Sequence, residues 1–326
     1  MGIRMLNRRT AIATAVVSAL LAPIPAVAAH ASTAQVPATC RSARDPELAA
    51  RMSRDIRAAL SEREGTVSVA VHDDDTGLTC ALASARKYDS ASVAKVAIME
   101  GALRRAEELG RKLTKWERTN VRPMITKSDN AAALRLWTDL GHDYLSRLLA
   151  RAGTTDTALG PKGYWGLTRT TAADQMRLLA VLTSSRSFLK TRNYGLKLLS
   201  QVRRDQRWGV PAGMPSGLKA HVKNGWLPRS THGWRVHSVG AFTGPGRTYR
   251  IVVLSHDNPT MAYGVRTIER IAQAVHRGLG QRRGLNQGRG LVQGPTPENA
   301  ISEESDGSAP YDLLPGWDEQ GWDATS

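Results

Sequence analysis

Residues 88–103 read YDSASVAKVAIMEGAL and mark a change in the pattern of the chain. Before this stretch, apolar residues alternate as they do in β-strands. From Ser92 to about Arg207, apolar residues mostly recur at the spacing of an α-helix. The stretch therefore predicts the junction between a strand-rich N-terminal part and a helical middle part.

The residues before this junction predict a helix and a β-hairpin. Pro46 to Arg63 carries apolar residues at helical spacing, and Asp45 is a candidate cap. An alternating strand follows, with Val67, Val69 and Val71 on one face. A turn over residues 73–77 then allows Leu78 to Ala83 to return as the hairpin partner.

Strand signals resume after the helical middle part, near Lys219–Lys223, Val236–Thr243 and Tyr249–Ser255, and a last helix is predicted over Met261–Leu279. We therefore predict an α/β fold of the α+β type. In it, one antiparallel sheet built from both chain ends is flanked by helices and carries an inserted all-helical subdomain. The composition of the 326 residues, 41% hydrophobic and 23% charged, excludes a wholly disordered or collagen-like chain.

The first 31 residues are typical of a secretory signal peptide. Three arginines (Arg4, Arg8 and Arg9) precede an apolar stretch from Ala11 to Ala29, and Ala29-His30-Ala31 fits a cleavage site before Ser32. The paired Arg8 and Arg9 leave twin-arginine export open. We expect a secreted protein without stable membrane insertion, in which residues 32–45 extend a domain over residues 46–279.

The chain has two cysteines, Cys40 and Cys80. A disulfide between them could persist outside the cell. Two unrelated thiols are the alternative, because the sequence does not give their separation. Two cysteines cannot form a four-ligand zinc site by themselves, and we expect neither a metal nor a cofactor.

Charge is distributed unevenly along the chain. The net charge is +16, but residues 290–326 contain eight acidic residues and no Lys or Arg, so residues 1–289 carry +24. Residues 280–326 are predicted to be a Gly/Pro-rich linker and an acidic disordered tail. Because the arginines of the basic part are scattered and the protein is exported, we expect an anionic cell-wall polymer as its electrostatic partner and no nucleic acid.

Ser92 and Lys95 form the first candidate catalytic pair. Their i,i+3 spacing at the start of a helix places hydroxyl and amine on the same face. A serine becomes a nucleophile when a base takes its proton, and a lysine can be that base if its pKa is lowered. A capping serine followed by a surface lysine is the alternative interpretation.

Two further motifs follow in the order found in serine acyl-transfer enzymes. Ser128-Asp129-Asn130 precedes an Ala/Leu-rich helix, and taken alone it predicts a helix N-cap. Lys223-Asn224-Gly225 lies on a late strand and is followed by Trp226. Taken alone, it predicts an exposed edge lysine before a turn.

Together the three motifs resemble the class A β-lactamase and penicillin-binding serine hydrolase family, and the resemblance runs from about Pro46 to Leu279. Flanking segments resemble the family as well: Tyr88–Ser92, Ser128–Ala132, Leu140-Gly141, Thr170–Ala173 and Gly209–Gly213.

The resemblance implies roles for the motif residues. Ser92 would be the acylated nucleophile, and Lys95 would accept or relay its proton. Ser128 would carry a proton to the leaving nitrogen. Asn130 would hydrogen-bond the side-chain amide of the substrate and help to position Lys95.

The resemblance also assigns substrate binding to the strand from Lys223 to Gly225 and to Trp226. Lys223 would attract the substrate carboxylate and lower the pKa of Lys95 and Ser128. The backbone N–H groups of Ser92 and Trp226 would form the oxyanion hole. Asn224 stands where the family usually has Thr or Ser, and its amide can donate a hydrogen bond to a carboxylate.

A second departure from the family concerns deacylation. Class A enzymes carry a glutamate in the omega loop that activates the deacylating water, but the corresponding residues here, Ala158 to Arg169, include no Asp or Glu. The nearest acids, Asp156 and Asp174, belong to the loop entry and the following helix. The sequence therefore predicts acylation with Lys95 as base and identifies no base for deacylation.

These motifs favour a monomeric secreted serine hydrolase of the class A β-lactamase type, which opens β-lactams and deacylates slowly. Three alternatives stay open: a DD-peptidase-like enzyme acting on peptidoglycan peptides, an esterase or amidase with the same residues, and a non-catalytic secreted protein that binds penicillin or the cell wall. The expected ligand is a small-molecule β-lactam or a wall peptide.

Overall fold

The computed structural model describes Gly2, residues 39–161, residues 163–281, Thr296, residues 301–310 and Asp312. The predicted signal peptide and residues 32–38 of the predicted extension therefore lie outside the described residues. Among the described residues, no helix has both the length and the apolar character needed to cross a membrane.

The N-terminal elements are a short strand, a helix and the predicted hairpin: β1 (Thr39–Arg41), α1 (Pro46–Leu60), β2 (Thr66–Asp73) and β3 (Leu78–Leu82). Asp45 caps α1 as predicted, because its carboxylate accepts a hydrogen bond from the backbone N–H of Leu48. In β1, Cys40 lies opposite Cys80 of β3, and a disulfide joins the two residues. The sheet therefore includes residues N-terminal to Pro46.

The middle of the chain is mostly helical. It contains β4 (Lys87–Asp89), α2 (Lys95–Glu108), α3 (Lys115–Thr126), α4 (Asn130–Leu140), α5 (His142–Ala152), β5 (Arg169–Thr171), α6 (Ala172–Thr183) and α7 (Arg192–Leu199). Strands β4 and β5 pair with each other in a small second sheet. Because this sheet lies within the helical part, the inserted subdomain is not entirely helical.

The C-terminal elements are three long strands and a helix: β6 (Lys219–Pro228), β7 (Trp234–Gly244), β8 (Arg247–Asn258) and α8 (Met261–Gln281). The main sheet has the antiparallel order β1-β3-β2-β8-β7-β6, so strands from both chain ends meet between β2 and β8. This confirms the predicted antiparallel sheet flanked by helices.

Both faces of the main sheet are covered, since β7 and β8 are buried at almost every residue. Helices α1 and α8 pack against each other and against the sheet, while α6 packs against β2, β7 and β8. Strand β6 is left as an edge of the sheet. A 3₁₀ turn from Ala91 to Ala94, which leads into α2, packs against this edge strand.

Candidate active site

Ser92 and Lys95 are brought together where the 3₁₀ turn passes into α2. Ala91 adopts a positive φ of 46°, a conformation that an alanine takes up only when the surrounding structure requires it. Ser92 and Lys95 are both fully buried. The Nζ atom of Lys95 donates a hydrogen bond to Ser92 Oγ at 2.9 Å.

The second motif, Ser128-Asp129-Asn130, lies where the connection between α3 and α4 leads into α4, and it contacts the same lysine. Asp129 caps α4 by accepting a hydrogen bond from the backbone N–H of Ala132. Ser128, just before it, has a positive φ of 58°. Lys95 Nζ lies within hydrogen-bond distance of three acceptors of this motif: Ser128 Oγ at 2.9 Å, the Ser128 carbonyl oxygen at 2.6 Å and Asn130 Oδ1 at 2.7 Å.

The third motif supplies a second lysine from the edge strand β6. Lys223 Nζ lies 3.0 Å from Ser128 Oγ and 2.6 Å from the carbonyl oxygen of Asn224. The Ser128 hydroxyl is therefore within hydrogen-bond distance of both lysines. This arrangement allows a proton to pass between Lys95 and a leaving group through Ser128.

The surroundings of Lys95 disfavour its charged form. Burial lowers the pKa of Lys95 well below the ordinary lysine value, and the positive charge of Lys223 lowers it further. The carboxylates of Asp306 and Asp129 act in the opposite direction. Burial also lowers the pKa of Lys223, to about 8. A neutral Lys95 can accept the Ser92 proton once the hydroxyl turns to donate to Nζ, because the two atoms already lie 2.9 Å apart.

The oxyanion hole depends on a close approach between β6 and the 3₁₀ turn. At Gly225, a Cβ atom would lie 2.6 Å from the backbone nitrogen of Ser92 and 2.9 Å from that of Val93, so only glycine fits. The backbone N–H groups of Ser92 and Trp226 point at one position. Both donate to Asp306 Oδ2, at 3.1 Å and 3.3 Å.

Asn224 contacts the 206–208 segment through its side-chain amide. Its Nδ2 atom donates to the carbonyl oxygens of Gln206, at 3.1 Å, and Trp208, at 2.9 Å. Both N–H groups of the amide are therefore used to hold the 206–208 segment. Donation by Asn224 to a substrate carboxylate stays a prediction, and it would require the amide to leave these backbone acceptors.

The loop from Ala158 to Arg169 places the indole ring of Trp165 beside Lys95. The described residues of this loop include no carboxylate. The Trp165 ring centroid lies 4.5 Å from Lys95 Nζ, and Trp165 is buried. Asp174 accepts hydrogen bonds from the backbone N–H of Asp156 and the hydroxyl of Thr157 at the loop base. Lys162 lies outside the described residues.

A segment of the acidic tail lies in the cleft. Residues 301–310 were predicted to be disordered as part of 280–326, but Asp306 contacts the oxyanion-hole donors and its carbonyl oxygen accepts from Asn130 Nδ2 at 2.7 Å. Trp226 Nε1 donates to the Glu304 carbonyl at 2.9 Å. Polar groups of residues 304–306 therefore bond residues of the domain, while disorder of the tail as a whole stays a prediction.

Sequence reasoning also missed a buried ion-pair cluster next to the nucleophile. Asp89, three residues before Ser92, lies 2.7 Å from Arg229 and 3.0 Å from Arg235. These two arginines and Arg169 hold the pKa of Asp89 below its usual range, although burial alone would raise it. The sequence signal that could have indicated this cluster is Asp89 in the segment Tyr88-Asp89-Ser90, shortly before Ser92. The ion pairs of Asp89 hold this segment in place.

One group of residues has metal-ligand chemistry. Ligand atoms of His232, His256 and Asp257 all lie within 4.8 Å of one another. The Nδ1 atoms of the two imidazoles lie 2.9 Å and 2.6 Å from the Asp257 carboxylate oxygens. Hydrogen bonding within the group accounts for this geometry, so it does not by itself indicate a metal.

The antiparallel sheet with the Ser92, Lys95, Ser128 and Lys223 constellation at its edge defines a β-lactamase-like serine hydrolase fold. The chain belongs to the Beta-lactamase enzyme family, whose sequence profile matches residues 51–116 and 118–279.

One curated protein is similar in sequence, and solved structures share the fold. The protein named "Putative lipoprotein LppW" from Mycobacterium tuberculosis (strain ATCC 25618 / H37Rv) is 28% identical over 214 residues, which cover 63% of this chain and 67% of the relative. A β-lactamase structure from Sphaerobacter thermophilus DSM 20745 is 22% identical, with a TM-score of 0.61 over 71% of this chain and 98% of that one. A class A β-lactamase representative from Bacteroides cellulosilyticus DSM 14838 is 17% identical, with a TM-score of 0.62 over 71% and 98%.

Proposed function

We propose that this protein is a secreted serine hydrolase that is acylated by β-lactams at Ser92. The observation that carries the proposal is the position of Lys95 Nζ, 2.9 Å from both Ser92 Oγ and Ser128 Oγ. Burial lowers the pKa of Lys95, so that it can act as the base. The backbone N–H groups of Ser92 and Trp226 converge where an oxyanion would form.

The proposed acylation begins when neutral Lys95 takes the proton of Ser92. Ser92 Oγ attacks the lactam carbonyl carbon, and the negative charge develops on the carbonyl oxygen between the N–H groups of Ser92 and Trp226. The lactam C–N bond then breaks, and the nitrogen receives a proton from Ser128, which is replenished by Lys95. The ring-opened molecule stays attached as an ester of Ser92.

Hydrolysis of this ester requires a water molecule and a base. The described residues of the loop 158–169 offer no carboxylate for this purpose. We therefore propose that deacylation is slow and that the acyl-enzyme accumulates.

Intact-mass analysis of the full chain, followed over time after addition of benzylpenicillin, tests the proposal. The mass should increase by that of one whole penicillin, because ring opening retains the leaving nitrogen. Ser92→Ala should abolish the increase. Ser90→Ala is the matched control, because the Ser90 hydroxyl bonds backbone carbonyls rather than Lys95 and its loss should leave the adduct in place. An adduct that persists in Ser92→Ala would contradict the proposal. So would the absence of any adduct with β-lactams and activated esters, both in wild type and in Asp306→Ala, which frees the N–H groups of Ser92 and Trp226.

A DD-peptidase-like activity on wall peptides is the second candidate. One observation favours it: the cleft accommodates a peptide segment, with Asp306 N–H donating to the Trp226 carbonyl at 3.1 Å. Release of the terminal residue from an acyl-D-Ala-D-Ala peptide by wild type but not by Ser92→Ala would establish this activity.

The proposed location outside the cytoplasm rests on the features of residues 1–31 and on the lipoprotein name of the mycobacterial relative. Without the three arginines of the signal peptide, residues 32–289 carry +21, which supports an anionic wall polymer as an additional partner. Detection of the processed chain in the culture medium or the cell envelope would test the location.

A further inference from the structure

Asp306 fills the place in the cleft where an acyl substrate would react. Its Oδ2 atom accepts from both oxyanion-hole donors, Ser92 N–H and Trp226 N–H. Its backbone carbonyl accepts from Asn130 Nδ2, and its backbone N–H donates to the Trp226 carbonyl. Asp306 thus bonds three N–H donors and one carbonyl acceptor that line the cleft around Ser92.

The segment uses the edge strand as a peptide ligand would. Strand β6 is an edge of the main sheet, so the backbone N–H and C=O of Trp226 have no neighbouring strand on the outer side within the part of the chain that the structure describes. Asp306 supplies the acceptor and the donor for these two groups. Addition of an extended segment to a sheet edge is a common mode of peptide recognition.

Contacts on both sides of Asp306 hold the segment in this position. The Glu303 carboxylate accepts from the backbone N–H groups of Met261, at 2.8 Å, and Ala262, at 2.9 Å, at the start of α8. On the other side, Ser308 packs so closely on Gly166 that a Cβ atom there would overlap its backbone. Strand β6, helix α8 and the loop bearing Trp165 therefore all contact the segment.

The charge of the segment acts against the catalytic state of the site. Asp306 raises the pKa of Lys95 and of Lys223, in opposition to the effect of burial. A protonated Lys95 cannot accept the Ser92 proton. The bound carboxylate therefore blocks the oxyanion hole and also favours the inactive protonation state of the base.

We propose that residues 303–308 are a tethered ligand of the catalytic cleft and that the full chain is autoinhibited by its own acidic tail, with the Asp306 carboxylate in the oxyanion hole. The inhibition rests on the proposed acylation of Ser92, whereas the binding of the segment does not. The proposal also specifies a ligand class for the cleft: an extended acidic peptide that places a carboxylate beside Ser92.

Asp306→Ala in the full chain tests the proposal, with Glu304→Gln as the matched control. Glu304 lies in the same segment and carries the same charge, but its side chain is exposed and only its backbone contacts Trp226. The first measurement is hydrogen exchange at the backbone amides of Ser92 and Trp226, which does not depend on catalysis. We expect exchange about tenfold faster or more in Asp306→Ala, since both amides lose a charged acceptor, and unchanged exchange in Glu304→Gln.

The second measurement is the rate at which a fluorescent penicillin labels Ser92. Labelling should be about tenfold faster or more in Asp306→Ala than in wild type and Glu304→Gln. A synthetic peptide of residues 300–310 should slow the labelling of Asp306→Ala again, and the same peptide with alanine at position 306 should not.

The outcomes separate the two proposals. Faster exchange without labelling of any chain would contradict the proposed acylation but support the binding of the tail in the cleft. Equal exchange in wild type and Asp306→Ala would overturn the tethered ligand. Faster exchange with equal labelling rates would overturn autoinhibition.

Discussion

The indole ring of Trp165 lies over the ammonium group of Lys95, with 4.5 Å between Nζ and the ring centroid. The buried ring helps to exclude water from Lys95, and burial disfavours the charged amine. A ring face over an ammonium group acts in the opposite direction and stabilises the charge. The same residue lies on the loop whose described residues carry no carboxylate. At the position next to Lys95 the loop therefore presents an aromatic ring and not a base for deacylation.

The two lysines are expected to perform different functions despite their equal charge. Lys95→Arg should lower the acylation rate by about 10²–10⁴-fold, because a guanidinium stays protonated and cannot act as a general base. Lys223→Arg keeps the positive charge beside Ser128 and should mainly raise KM for substrates that carry a carboxylate. Stopped-flow kinetics with a chromogenic cephalosporin give both quantities.

A neutral substrate provides the control for this comparison. An activated ester without a carboxylate should be affected by Lys95→Arg but little by Lys223→Arg. Equal kinetic effects of the two substitutions on both substrates would contradict the proposed division between the lysines.

The sheet and the three motifs were predictable because they depend on short-range patterns. The alternation in β2, the cap at Asp45 and the i,i+3 spacing of Ser92 and Lys95 are local features. The resemblance to the class A β-lactamase family then indicated that the three motifs, in their order along the chain, form one site. The small sheet formed by β4 and β5 was missed, because three-residue strands carry almost no periodic signal.

The contacts that were not predicted join partners that are distant in the sequence. Asn224 bonds carbonyl groups at 206 and 208, which no local pattern places beside it. Arg229 and Arg235 belong to a set of arginines that looked scattered over the surface, yet both are buried around Asp89. The composition of the acidic tail indicates that it cannot form a hydrophobic core of its own. Composition does not indicate whether the tail binds to the basic domain.

Gly225→Ala should disable the oxyanion hole. The added Cβ atom would meet the backbone nitrogens of Ser92 and Val93, and backbone cannot move away as a flexible side chain can. Loss of one oxyanion donor costs about 10²–10³-fold in rate, and we expect a similar fall in the acylation rate constant with a smaller change in substrate Kd. Single-turnover kinetics over a range of substrate concentrations separate the two.

Gly240→Ala is the control for overpacking, because its Cβ atom would lie 2.8 Å from Val210 Cγ2, a side-chain atom away from Ser92. That variant should lose thermal stability and keep its acylation rate constant once folded. If Gly225→Ala acylated at the wild-type rate, the two N–H groups would not be the oxyanion hole.

Glu100 in α2 should make stability depend on pH. It is fully buried, and neither of its carboxylate oxygens has a hydrogen-bond partner among the described residues. Burial raises the pKa of Glu100 well above the ordinary value. The folded state therefore favours the protonated acid, and this group destabilises the fold as pH rises above the pKa of the unfolded chain, about 4.3.

Glu100→Gln removes this ionisation and should be more stable than wild type by a margin that grows between pH 5 and pH 8. The gain is about 1.4 kcal/mol for each pH unit that lies between the two pKa values. Melting temperatures across this range measure it, and Glu62→Gln, at an exposed position, serves as the control. A constant difference between Glu100→Gln and wild type over this range would show that Glu100 is ionised in the folded chain as it is in the unfolded chain, and the raised pKa would be wrong.

Turnover of a β-lactam should show a burst followed by a slow steady state. A general base typically contributes about 10²–10⁴-fold to a rate, so deacylation without a carboxylate in the loop should be slower by about that factor than in a glutamate-bearing relative. Acylation uses Lys95 and the oxyanion hole and should be less affected. Stopped-flow hydrolysis of a chromogenic cephalosporin by Asp306→Ala, in which the tail contact is removed, resolves the two phases. The burst amplitude should equal the enzyme concentration.

A carboxylate placed at Trp165 should accelerate the slow phase, because this side chain already contacts Lys95. We expect Trp165→Glu to deacylate at least about tenfold faster than Trp165→Gln, which removes the same indole and has the same length but offers no base. The comparison cancels the stability lost with the buried ring, which both variants share. Equal slow phases in the two variants would mean that position 165 cannot present a base to the ester. Fast wild-type turnover without a burst would show instead that another group already activates the water, and the slow-deacylation proposal would be wrong.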